Sequence, residues 1–351
     1  MSWSMNNISF RMAGSGSWQN LLPDEPAMQL YGKIYPTGIS LADIDKRLHP
    51  LFNTWAKGNI IKIDKGKAIP IGPVITDNDL VILDPWIKDI SHTMCTAVEK
   101  HLTEYHNQAQ KIANKGLYNR KKFENILTIQ ICAHTLDSWV FSLLRKEVMG
   151  TYSPRDFAGT FFFWGYGFSS GAKRIFGFTT YGGSRWVQVH VLRSHGLDRE
   201  NLKSVLRRYG TMDLIEQLYL NNQEIPYRQR SKLTPSITNI QLTLESLRKL
   251  KIAEPDDPPL LAIPVFMEKD MIEAANLYQS VTRIIFDRFL SNMENLKEQA
   301  AVCSFSQCTW SDVLCMLFHL SYSYAADILV GKGVIPEFPQ RAGGEWGVWI
   351  H

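Results

Sequence analysis

The chain contains no uninterrupted apolar run of 18 residues. Its richest stretch, Val313 to Val330, is broken by His319, Ser321, Ser323 and Asp327, which argues against a membrane-spanning helix. Cysteine is scarce: Cys95, Cys132, Cys303, Cys308 and Cys315 are five in number and unevenly spaced. An odd, irregular set argues against a secreted disulfide framework and for a reducing cytosol. Cys303, Cys308, Cys315 and His319 have the residue types of a zinc site. Cys-x4-Cys-x6-Cys is nevertheless not a usual ligand spacing, and Val313, Leu314, Met316 and Leu317 place the last two in a buried helix. The carboxylates Asp84, Asp89, Asp137 and Asp256-Asp257 are scattered, without the spacing of a catalytic pair. An excess of charge of one sign is small as well, 38 Lys and Arg against 34 Asp and Glu giving a net of +4, which permits a nucleic-acid partner without demanding one. Met1 to Trp18 is rich in Ser, Asn and Gly and lacks the apolar core of a signal peptide. The expectation is a cytoplasmic protein with no catalytic residues, no metal, no cofactor and no membrane contact.

What is present is a folded, soluble composition, 45% hydrophobic and 21% charged, over 351 residues, a length that suits two domains. Landmarks also recur in order. Met28-Gln29-Leu30-Tyr31 answers to Met212-Asp213-Leu214-Ile215. Ala68-Ile69-Pro70 returns as Ala262-Ile263-Pro264, and Asp77-x-Asp79 returns as Glu268-x-Asp270. His134 answers to His319, and Arg155-x-x-Ala158-Gly159 to Arg341-Ala342-Gly343, each trailed by Trp-Gly at Trp164-Gly165 and Trp346-Gly347. Self-similarity in conserved order reads as an internal duplication.

The second copy starts with an amphipathic stretch from Leu202 to Leu220, then a short helix-length segment from Glu224 to Leu233. Thr234-Pro235-Ser236 supplies a cap and a first-turn proline for a third helix. There Ile237, Ile240, Leu244, Leu247 and Leu250 form one buried stripe. A strand, a tight turn and a strand end the unit at Phe266. The first copy follows the same plan in shorter form: helices over 27–35, 40–48 and 50–60, then a hairpin of Ile61-Lys62-Ile63, a turn at Asp64-Lys65-Gly66-Lys67, and Ala68 to Val74. Three helices followed by a β-hairpin resemble the winged helix-turn-helix module of MarR-like and PadR-like transcription regulators, whose modules are commonly extended by long helices that build a dimer. Here such helices are expected over 84–114 and 121–149, and again over 271–301 and 310–329.

The resemblance implies a mainly α protein with small β-hairpins, an α+β class, in which two tandem winged-helix modules and their long helices form an internal pseudo-dimer. The expected organisation is a flexible N-terminus over 1–19 and a first repeat over 20–165, with its winged helix at 27–75 and long helices at 84–149. A Gly/aromatic β-rich insert follows over 166–200, then a second repeat over 201–351, with its winged helix at 202–266, long helices at 271–329 and a C-terminal tail.

In that reading the third helix enters the major groove, and basic groups nearby hold phosphates. The second copy offers Thr238, Asn239 and Gln241 for base edges, with Arg228, Arg230 and Lys232 for phosphates; Asn and Gln suit the adjacent acceptor and donor of adenine. The first copy offers Lys46, Arg47, Asn53, Thr54 and Lys57, and its hairpin adds Lys62, Lys65 and Lys67. The bland alternative is a solvated face with ordinary surface lysines. The second copy's acidic, proline-rich hairpin tip departs from a DNA-contacting wing. His134 and His319 are either paired sensors of a ligand or hydrogen-bonded core histidines. Phe161, Phe162, Phe163, Trp164, Tyr166 and Phe168 either line an effector pocket or form core, and Gly165-x-Gly167 lacks the flanks of a phosphate loop.

The expected function is transcription regulation by sequence-dependent binding of double-stranded DNA at an asymmetric site, by a monomer or homodimer, with a small-molecule effector or a protein as further partner. The alternatives are a protein-interaction or scaffold module that uses winged helices, and an enzyme with its site in the 160–195 insert.

Overall fold

The computed structural model describes residues 8–115, 120–167, 176–182, 186–193, 264–337 and 346–350, together with Glu245 and Arg248. The protein is mainly helical with small sheets, an α+β architecture. Its residues group into two compact units. One comprises Met1–Thr93, Phe141–Ile175 and Ile285–Tyr324; the other comprises Met94–Val140, Phe176–Ile284 and Ala325–His351. Each unit therefore draws on both halves of the sequence.

In the first unit β1 (Ser9–Gly16) runs antiparallel to β7 (Gly159–Gly167), and β5 (Val74–Thr76) lies parallel on the other side of β7, with β6 (Pro154–Arg155) beside it. Phe161, Phe162, Phe163, Trp164 and Tyr166 of β7 are all buried, so the aromatic run is core, and Gly165 and Gly167 are strand residues. Phe10 of β1 stacks on Phe163 at 5.2 Å, and Tyr31 meets both edge-on. Such offset and edge-to-face pairs are the geometries that aromatic quadrupoles favour. Phe168 lies outside the described residues.

α3 (Asp77–Lys100) begins directly after β5. A start at Asp84 is the expectation from the sequence; the helix instead begins seven residues earlier, and Pro85 lies inside it. The cause is a capping box: the Thr76 amide and hydroxyl donate to Asp79 Oδ2 at 2.8 and 2.7 Å, and the Asp79 amide returns to Thr76 Oγ1.

In the second unit the sheet order is β10-β11-β9-β8, built from β8 (Phe176–Gly182), β9 (Trp186–Arg193), β10 (Val265–Met267) and β11 (Trp346–Ile350). Numbering the helices by position, α4 is Leu102–Lys115, α5 Arg120–Thr128, α6 Glu268–Ser291, α7 Met293–Ala300 and α8 Trp310–Gly331. α5 does not continue as plain α-helix: Ile129–Val140 and Arg145–Met149 are π-helical, separated by one α turn at Phe141–Leu144. Thr135 Oγ1 donates back to the Gln130 carbonyl at 2.9 Å, five residues earlier, and accepts or donates at 2.6 Å with Tyr105 Oη. The side-chain bond thus reinforces the wider i→i+5 winding. Helical stretches Phe123–Met149 and Trp310–Gly331 are long and apolar enough to cross a membrane by length and composition, yet 72% of each apolar window is buried in the fold, as in core helices.

The two sheets share one plan. β5 and β10 each run parallel to a strand that follows a later long helix, β7 and β11, and that strand is flanked on its other side by an antiparallel strand, β1 or β9. β5 leads into α3 and β10 into α6, both of 24 residues. Met267 N donates to Asp270 Oδ2 at 2.9 Å, as Thr76 N does to Asp79. Counting from the two helix starts, the pairs Leu83 and Ala274, Ile87 and Tyr278, Ile90 and Val281, Ser91 and Thr282, Met94 and Ile285, and Val98 and Phe289 occupy equal positions, and all twelve are buried. One apolar face has been used twice.

Candidate nucleic-acid interface

Residues 25–70, part of the first unit, form two helices and a three-stranded sheet. Asp24 caps α1 (Glu25–Ile34) by accepting from the Ala27 amide at 2.8 Å, with Pro26 in the first turn, where its missing N–H does no harm. A helix over 40–48 is the sequence expectation. The chain instead forms the two-residue strand β2 (Ile39–Ser40) and two 3₁₀ turns, Leu41–Asp43 and Lys46–Leu48. Ser40 and Asp45 stop a continuous helix because each side chain accepts from the amide two residues on, offering the backbone a turn in place of the helical ladder.

α2 (His49–Lys57) buries Phe52 and Trp55 on one side, and the Trp55 indole donates to the Leu21 carbonyl at 2.8 Å. Asn53 and Lys57 lie one turn apart on the opposite, exposed face, and Thr54 is half-buried between the two. The helix ends at Gly58, where a Cβ would stand 2.2 Å from Leu21 Cδ2.

β3 (Ile61–Asp64) and β4 (Lys67–Pro70) then form a hairpin that pairs Ile61 with Pro70 and Asp64 with Lys67, and β4 also pairs with β2. Lys65 and Gly66, at φ 48° and 75°, make the two-residue loop of left-handed conformation that matches strand twist. Only the hairpin's base is covered: Ile61, Ala68 and Pro70 are buried, whereas Lys62 through Lys67 are all exposed. Ile63 among them is 48% exposed.

The structure therefore places Lys62, Lys65 and Lys67 together on one projecting hairpin, and Asn53 and Lys57 on one helix face. Lys46 and Arg47 sit on the 3₁₀ turn leading into that helix. Arg47 folds back onto Asp45, which raises its own pKa and holds the Asp45 carboxyl below the usual carboxylate range. Lys46, Lys57, Lys62, Lys65 and Lys67 form no ion pair with any described residue. Over residues 39–70 six Lys and Arg face three Asp, so the surplus is positive. The second copy's Arg228, Arg230, Lys232, Thr238, Asn239 and Gln241 lie outside the described residues.

Of the two histidines considered as sensors, His134 is buried in the core and His319 is half-buried. His134 is fully buried, its Nδ1 3.4 Å from Tyr278 Oη and its ring edge-on to Phe266; burial pulls its pKa down to about 3. His319 Nδ1 lies 2.7 Å from the Cys315 carbonyl and its ring packs on Trp164; burial pulls it down to about 4. The described residues hold no group of three His, Cys, Asp or Glu side chains able to bind a metal ion.

One polar group at this unit is not identifiable from sequence spacing. The Arg155 guanidinium, wholly buried, donates from Nη2 to Asp312 Oδ2 at 2.6 Å, from Nε to the Phe161 carbonyl at 3.2 Å, and from Nη1 to the carbonyls of Gly58, at 3.3 Å, and Asn59. Asp312 Oδ1 accepts from the Phe163 amide at 3.0 Å. Burial pushes the Asp312 carboxyl upward, against the pull of Arg155 and that amide. The available signal was the recurring Arg155-x-x-Ala158-Gly159 landmark. Asp312, in the first turn of α8, is committed to Arg155.

Comparison of the chain with protein-family models, with curated proteins and with solved structures finds no match.

Proposed function

We propose that the chain is a cytoplasmic DNA-binding regulator that contacts double-stranded DNA through the exposed basic hairpin and the Asn53/Lys57 face of α2, in the manner of a winged helix. The observation that carries this reading is the hairpin: Lys62, Lys65 and Lys67 are all exposed beyond the covered base, and none forms an ion pair with a described residue, although Asp64 lies opposite Lys67 in the ladder. Unpaired lysines on a protruding ribbon suit a phosphate backbone, where they displace condensed counterions. The element order of helix, short strand, turns, helix and hairpin, with sheet order β2-β4-β3, supports a winged-helix module in the first copy. The shared plan of β5 with α3 and β10 with α6 supports a pseudo-dimer of two such copies reading an asymmetric site. In that arrangement Arg228, Arg230, Lys232, Thr238, Asn239 and Gln241 serve the second module.

The test is fluorescence anisotropy with random and genomic duplexes over a range of salt. Wild type is expected to show log affinity falling linearly with log salt. Lys62→Ala/Lys65→Ala/Lys67→Ala should lower that slope by roughly two to three. An Arg228→Ala/Arg230→Ala/Lys232→Ala variant reports the second module separately. Binding that ignores salt, or an unchanged slope in the hairpin variant, overturns the reading.

A further inference from the structure

The basic hairpin is held at both feet by the start of one helix. Its entry foot is Gly58-Asn59-Ile60, and its exit foot is Ile71-Gly72. At the entry, the Gly58 and Asn59 carbonyls accept from Arg155, which is itself held by Asp312 in the first turn of α8. At the exit, the Ile71 carbonyl accepts from the amide of Thr309, the residue before α8, at 3.0 Å. The two feet are joined to each other as well. Ile71 N donates to the Ile60 carbonyl at 2.9 Å, and Tyr31 Oη bonds the carbonyls of Ile60 and Gly72 at 3.0 Å each. Beyond the feet the ribbon is also tied to β2, which pairs with Lys67 and Ala68, and the Leu41 amide after it donates to the Gly66 carbonyl at 2.8 Å, while Lys62 through Lys67 are all exposed.

From this geometry we infer that Arg155 and Asp312 are positioning residues for DNA contact: with the first turn of α8 they set the angle at which the basic hairpin meets the duplex. The inference rests on the DNA-binding reading and names what positions that same surface. Its physical basis is leverage. The hairpin and the short β2 beside it form one small sheet, so bonds at its feet orient the whole of it, and a buried Arg–Asp pair holds those feet in one hydrogen-bonded geometry. Neither side chain reaches solvent, so neither meets DNA itself. A second feature agrees with the clamp: Asn59, which receives the guanidinium, is held at φ 52°, a conformation that a non-glycine residue adopts at a cost.

The experiment is a double-mutant cycle on the full chain, read as salt slope. Lys65→Ala is expected to lower the slope of log affinity against log salt by about 1 in wild type, and by close to zero in Asp312→Asn, because a ribbon released from its clamp no longer presents Lys65 to a phosphate. Ile90→Ala, a core change in α3 whose side chain is fully buried, serves as the control for general destabilisation and should leave the Lys65 effect intact. Amide hydrogen exchange over residues 61–70 provides a readout without DNA: it should speed in Asp312→Asn and not in Ile90→Ala. If Asp312→Asn fails to fold, Arg155→Lys, which keeps the charge and loses the fork, takes its place. Should wild type bind with salt dependence while Lys65→Ala costs the same in both backgrounds, the positioning role is overturned. Should wild type not bind duplex DNA at all, the DNA-binding reading falls, and the inference with it, whatever the exchange data show.

Discussion

Arg155 and Asp312 stand 157 residues apart in sequence and meet at 2.6 Å, with side chains 0% and 1% exposed. Removing one partner of such a pair leaves the other charge buried and uncompensated. Asp312→Ala is therefore expected to cost about 3–5 kcal/mol in urea unfolding, whereas Arg155→Met/Asp312→Leu, which removes both charges, should recover part of that loss. A loss below about 1 kcal/mol in Asp312→Ala would show that the pair is not a structural keystone.

Acid should weaken the fold through two histidines. Burial holds His134 at about 3 and His319 at about 4, while both titrate near 6.5 when unfolded. As pH falls through about 6.5 the unfolded chain takes up protons that the folded one refuses, so stability is full above that value and declines toward pH 4. Each histidine adds a slope of about 1.4 kcal/mol per pH unit. His319→Phe, which keeps a ring against Trp164, should remove one such increment from the pH dependence of unfolding between pH 6 and 4.5. An identical slope in wild type and variant contradicts the neutral-core assignment.

Two glycines of the same unit should fail differently. Gly58→Ala drives a Cβ into Leu21 and is expected to cost about 1–3 kcal/mol by overpacking. Combining it with Leu21→Ala should cost less than the sum, because the offending methyl is gone. Gly66→Ala meets open space, and its cost of about 1–2 kcal/mol comes from the left-handed backbone alone; no change of neighbour relieves it. Additive energies in the Gly58/Leu21 pair would refute the steric account.

Asp79 accepts four hydrogen bonds, from the amide and hydroxyl of Thr76 and from those of Ser304. Asp79→Ala strands two amides at once, so its cost should exceed the about 0.5–2 kcal/mol of an ordinary helix cap. Asp79→Asn, which keeps one acceptor oxygen, should fall between. Thermal melts of the three proteins decide the order.

Local chemistry made part of this fold legible and hid the rest. The hairpin was readable because Asp64-Lys65-Gly66-Lys67 is a tight-turn sequence, and it forms there. The start of α3 was expected at Asp84, seven residues late; the capping box at Thr76 and Asp79 sets it at Asp77. β5 and β10, three residues each, read as the tail of a hairpin because short apolar runs carry no mark of their partner, which in both cases is a strand far along the chain. The π-helical Ile129–Val140 left no trace in the apolar spacing, since one extra residue per turn is an adjustment made by packing. Of the contacts proposed in the first copy, Lys46, Arg47, Asn53, Lys57, Lys62, Lys65 and Lys67 are exposed and Thr54 is half-buried; the clamp beneath them was not found.

By itself the sequence determined what short-range preference and periodicity decide: a mainly helical chain, the repeat of landmarks, the basic turn at Lys65-Gly66 and the apolar face that α3 and α6 share. Tertiary structure alone decided which strands pair, how the helix at His134 winds, and that Asp312 meets Arg155. The reason is the same throughout. A cap or a turn is settled among neighbours within four residues, whereas a parallel strand pair or a buried ion pair is settled by what the rest of the chain brings to the same place, and no local pattern encodes that meeting.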